Sequence, residues 1–114
     1  MQSKTDPRHL RRRKIVQDLY SWAFNPQSPS KNISPIIEKI ELIDKEISVL
    51  APELPLPRIN PLDLAILRLA IFELKYGPKV PVKAIIDEAI ELAKEFGGEQ
   101  SPKFINGALA QAIE

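Results

Sequence analysis

Cysteine is absent from the 114 residues, which excludes disulfides, thiolate metal ligands and thiol nucleophiles. The one histidine, His9, is too little for a zinc site or a Ser-His dyad and has no metal-ligand companion in its neighbourhood. No apolar run approaches the roughly 18 residues of a membrane span. The charged N-terminus also lacks the apolar segment of a secretory signal. Glycines number four, and the Gly97-Gly98 pair has neither the spacing of a phosphate loop nor a strand before it. No stretch alternates apolar and polar residues between turn signals, so no sheet is predicted. These absences leave a cytoplasmic protein with no cofactor, no metal and no enzymatic chemistry as the expectation.

What is present is a folded, helical composition. A hydrophobic fraction of 44% supports one core, and residues 1–114 are read as a single domain. The net charge of +1 conceals an asymmetry. Residues 1–14 hold six Lys/Arg against Asp6, whereas the remainder holds ten against fourteen Asp/Glu. A basic arm on an acidic body points to a polyanionic partner for the arm.

Eleven prolines would ordinarily oppose a helical reading, but their placement supports one. Asp6-Pro7, Ser34-Pro35, Asn60-Pro61 and Ser101-Pro102 each set a capping side chain before a proline suited to the first helical turn. The first helix is expected from Pro7 to Phe24, with Val16, Leu19, Tyr20 and Ala23 as its buried stripe. Arg8, Arg11, Arg12, Arg13 and Lys14 crowd its positive end, where each exposed cation costs roughly 0.3–1 kcal/mol. Such a broken rule suggests a phosphate-binding surface, although a merely soluble basic terminus would look the same.

A loop over 25–32 precedes a second helix, expected unbroken from Pro35 to Leu50. Pro52, Pro55 and Pro57 then impose an extended connector. The third helix, Pro61 to Tyr76, is apolar nearly all round and should be enclosed by the others. Asp63 in its first turn suits the macrodipole. Helix four, opened by Pro81, shows Ile86, Ala89, Ile90, Ala93 and Phe96 at helical spacing. Its Asp87, Glu88, Glu91 and Glu95 read as a solvated face rather than a catalytic carboxylate cluster.

The stretch Phe96-Gly97-Gly98-Glu99-Gln100-Ser101-Pro102-Lys103-Phe104 combines a helix stop with a helix start. Gly97 is expected in the left-handed conformation that closes a helix, and Ser101 as the N-cap of the next. Lys103, Phe104 and Asn106 then stand beside the corner, where a cation, an aromatic face and an amide could grip an unpaired base. They could equally be ordinary helix residues.

The runs Ala65-Ile-Leu-Arg-Leu-Ala-Ile-Phe-Glu-Leu74, Val80-Pro-Val-Lys83, Asp87-Glu-Ala-Ile-Glu-Leu-Ala-Lys94 and Lys103-Phe-Ile-Asn-Gly107 resemble the C-terminal half of the NusB family of transcription antitermination factors. Arg12 with Gln17-Asp-Leu-Tyr-Ser-Trp22 resembles that family's first helix. The resemblance is specific over 60–110, good over 8–24 and weak between. It implies an all-α bundle of about five helices and binding of boxA-like single-stranded nascent RNA. The implied partners are ribosomal protein NusE and the RNA polymerase antitermination complex. Carried across by position, RNA contacts would fall to Arg8, Arg11, Arg12, Arg13, Tyr20, Lys103 and Phe104, and the partner contact to Asp63. Two departures stand out. The region between Phe24 and Pro61 is shorter than is usual in the family, as though a helix were shortened or missing. Gln100 replaces an acidic residue common after the Gly-Gly-Glu corner. A NusB-like accessory or protein-interaction domain with weak or no RNA binding of its own, such as RNA cytosine methyltransferases carry, is the alternative. If the arm and the corner form one surface, the first helix and the Lys103 segment must pack side by side.

Overall fold

The long apolar segment 61–75 forms the centre of the molecule. In the computed structural model, which describes residues 6–112, every residue of this helix from Asp63 to Ile71 is buried. The described residues form six α-helices: α1 Pro7–Phe24, α2 Ser34–Glu38, α3 Ile40–Leu50, α4 Pro61–Lys75, α5 Val82–Phe96 and α6 Ser101–Ala112. A 3-10 turn spans Leu56–Arg58 in the proline-rich connector, and no strand occurs among the described residues. Lys4, counted above in the basic arm, lies outside them. Helices α1, α3, α5 and α6 all pack against α4, as expected of a helix without a polar face. The core joins Val16 and Leu19 of α1, Ile43 and Ile47 of α3, Ile66 and Ile71 of α4, Ile85 and Leu92 of α5, and Ile105 and Leu109 of α6. No described helix is long and apolar enough to cross a membrane.

The capping signals hold at two of the four sites. Asp6 Oδ1 accepts the Arg8 amide at 2.8 Å, and Asn60 Oδ1 accepts the amides of Leu62 and Asp63. Ser34 does not cap: it lies inside α2, and its hydroxyl donates to the Ser30 carbonyl. The expected second helix breaks at Lys39, whose amide donates to Ile36 O in a tight three-residue turn. The break seats Ile33 and Ile36 in the core alongside Ile43 and Ile47 and sets the Lys39 ammonium 5.2 Å from the Tyr76 ring centroid. Helix α2 is thereby reduced to five residues.

Candidate nucleic-acid interface

Helix α1 turns about 100° per residue, so the four consecutive cations Arg11 to Lys14 cannot share a face. Arg8 and Arg11, one turn apart, lie exposed on one flank. Arg8 folds back on Asp6, with Nη2 3.1 Å from Oδ2, while 71% of its side chain stays exposed. The hydrogen bonds from the Arg8 side chain and amide hold the Asp6 carboxyl at about 2, well below the usual carboxylate range.

The inner face carries His9 and Arg12, both buried. Arg12 Nε and Nη2 donate to the two oxygens of Glu73 at 3.0 and 2.8 Å, a bidentate pair, and Nη1 lies 3.6 Å from Glu88 Oε1. Burial opposes the Arg12 charge, but Glu73 outweighs it and raises the pKa. The His9 ring is held at both nitrogens: Nδ1 by Glu88 Oε1 at 3.0 Å, and Nε2 by Glu95 Oε1. Burial again works against the cation, and the two carboxylates more than offset it, so the His9 pKa is raised.

The expectation of a solvated acidic face on α5 is therefore corrected. Asp87 and Glu91 do form only surface pairs, with Lys83 and Lys94. Glu88, however, is 1% exposed, and Glu95 faces α1. The buried face of α5 is centred on Ile85, Ala89 and Leu92, one position away from the Ile86/Ile90 stripe. Glu88 lies one turn from both Ile85 and Leu92, and Glu95 one turn beyond Leu92. That register was the available signal for these two residues.

The other flank of α1 carries Arg13, Tyr20 and Phe24, at spacings of seven and four residues. The Arg13 guanidinium lies 5.3 Å from the Phe96 ring centroid, where α5 ends. Its Nε is 3.1 Å from Glu95 Oε2 but off the line a hydrogen bond needs, so the contact is an ion pair with no hydrogen bond at that nitrogen. Tyr20 is half-buried and packs edge-on against Phe24, centroids 4.8 Å apart, and Phe24 is 63% exposed.

Beyond Phe96, Gly97 closes α5 in an extended conformation (φ −89°, ψ −176°), not the left-handed one expected. Glycine is required there by space: a Cβ would stand 2.4 Å from Ser101 Oγ and 2.8 Å from Ala93 O. Ser101 is the first residue of α6 rather than its cap, and its hydroxyl turns back to accept the Gly98 amide at 2.9 Å. Two residues on, Lys103 is exposed, and Phe104 is half-buried with its ring against the core. Arg13 thus reaches the corner at Phe96. Among the described residues no hydrogen bond or ion pair links α1 to Lys103 or Phe104; α1 packs on α4 whereas α6 packs on α5, α4 and α3, so the two segments do not lie side by side as expected.

Asp63 lies on α4 and is 6% exposed, with Oδ1 buried and unpaired. Burial pushes its pKa up, against a lowering influence from the Ser101 hydroxyl. No group of His, Cys, Asp and Glu side chains among the described residues could hold a metal ion.

Comparison with known proteins gives a consistent result. The NusB family model matches residues 31–114. A transcription antitermination protein NusB from Histophilus somni (strain 2336) is 39% identical, covering 93% of this chain and 89% of its own. Its counterpart in Coxiella burnetii (strain CbuK_Q154) is 36% identical over 90% and 88%. The Histophilus alignment, at 131 positions, exceeds the 114 residues of this chain, so that relative carries residues missing here. Among solved structures, T. maritima NusB superposes with a TM-score of 0.82 at 30% identity, over 97% of this chain and 91% of that one.

Proposed function

This chain belongs to the NusB family, and from that premise we propose that it binds boxA-like single-stranded RNA together with ribosomal protein NusE, within the RNA polymerase antitermination complex in the cytoplasm. The curated relatives are named transcription antitermination proteins, and the role is one of binding, not catalysis. The observation that carries the RNA reading is Arg13 lying on Phe96 at the corner from which Lys103 projects. Arg8, Arg11, Arg13 and Lys103 supply cations for phosphates, and Tyr20 and Phe104 supply rings for splayed bases. Arg12 has its guanidinium committed to Glu73 and Glu88, so its contribution is to hold α1 in place. Asp63 is the residue proposed for the partner side: it lies buried on α4, and its Oδ1 has no hydrogen-bond partner among the described residues.

Titration of a labelled boxA-like strand, with protein alone and with NusE added, tests this reading. Cooperative tightening on adding NusE is expected, and its absence would reduce the protein to generic polyanion binding. Phe104→Ala should cost roughly 1–3 kcal/mol of RNA affinity if the ring stacks on a base. A lowered melting temperature with affinity intact would instead give Phe104 to the core.

A further inference from the structure

Three cations and three carboxylates meet where α1 crosses α4 and α5. They are His9, Arg12 and Arg13 on α1, Glu73 on α4, and Glu88 and Glu95 on α5. A carboxylate only accepts hydrogen bonds, so an imidazole with a carboxylate at each nitrogen must donate from both. His9 is therefore an imidazolium, and the cluster is neutral while it keeps that proton. Arg8, on the exposed flank, is a further cation and is paired with Asp6; α6 brings no charged group into ion-pair distance of the cluster among the described residues.

Glu95 is the hinge of this arrangement. One of its oxygens is taken by His9 Nε2, and the other lies against Arg13. Arg13 is the cluster's outward member: 38% of its side chain is exposed, its pairing with Glu95 is poorly aligned, and its guanidinium lies over the Phe96 ring. From this geometry we infer that His9 is a positioning residue for the RNA face, whose proton draws Glu95 inward and leaves the Arg13 guanidinium to a phosphate. Loss of the proton removes a donor from one of the two carboxylates. It leaves the cluster one charge negative and turns Glu95 wholly toward Arg13, in competition with RNA. The inference rests on the proposed RNA face and adds a proton dependence to it.

The test is RNA affinity of the full chain for a boxA-like strand between pH 6 and pH 8.5 at fixed salt. The wild type should weaken about five-fold or more as pH rises, the scale of a modest coupling between two sites. His9→Gln should flatten that profile at the weak, high-pH level, and His9→Arg, a permanent cation, should keep tight binding at high pH. Glu95→Gln, which removes the competing carboxylate, should also bind tightly at pH 8.5. A His9→Gln protein with the wild-type pH profile would overturn the inference; if it fails to fold, a His9→Arg protein that still weakens with pH does so. RNA binding that is tight but independent of pH in the wild type would sink the role of His9 and leave the RNA face standing. No binding at any pH would remove both.

Discussion

At the scale of the residue, the protein separates charges that look alike in the sequence. Arg12 and Arg13 are neighbours, yet one is a buried structural cation and the other lies on the surface. Removing one partner of a buried ion pair leaves the other uncompensated, at a cost of roughly 3–5 kcal/mol. Arg12→Ala should thus lower the melting temperature sharply, whereas Arg13→Ala should leave it nearly unchanged; differential scanning calorimetry compares them. Asp63 offers a second contrast. Its place in the first turn of α4 favours the carboxylate by about 0.3–1 kcal/mol through the macrodipole. Burial opposes it, and the raised pKa means burial wins. A carboxyl whose folded pKa lies above its unfolded value is a burden once pH exceeds both. Asp63→Asn should therefore raise the melting temperature at pH 7 and lose that advantage as pH falls toward the unfolded value of 3.8. A lowered melting temperature at pH 7 would show that the macrodipole dominates. His9 has the opposite sign. Its raised pKa contributes stability that is complete below 6.5 and lost as pH rises through the folded value.

At the scale of the element, the bounds of α1 and the burial of α4 were legible because a cap-proline pair and an unbroken apolar run are local signals. The break at Lys39 was not, since neither glycine nor proline marks it; the turn follows from seating Ile33 and Ile36 against the core. The corner after α5 shows a similar limit. A glycine there was legible, but its reason is the approach of Ser101, a contact that backbone preference does not reveal. Gly97→Ala would push a methyl into Ser101 and the Ala93 carbonyl, at roughly the 1–3 kcal/mol of an overpacked site. The expected outcome is a lower denaturation midpoint and displaced Ser101 and Phe104 resonances. A left-handed glycine would also resist alanine, but here a fully extended backbone rules that cause out.

At the scale of the whole molecule, the basic arm and the acidic body are not separate regions. The arm's inner cations are neutralised by carboxylates on α4 and α5, across 61 residues of chain from Arg12 to Glu73 and 79 from His9 to Glu88. Charge counting along the sequence found the asymmetry but could not find this pairing, because it depends on which helix faces lie together. Among the described residues the outward cations include Arg8 and Arg11 on one flank of α1, Lys14 beside Asp18, Arg13 at the corner, and Lys103 beyond it. The measurement that tests this account most directly is the salt dependence of boxA-like RNA binding, compared between the wild type and Arg13→Ala. The logarithm of affinity should fall linearly with that of salt, and the variant should bind more weakly with a slope shallower by about 0.7, the loss of one phosphate contact. An Arg13→Ala protein that stays folded and binds with unchanged affinity and slope would contradict the account.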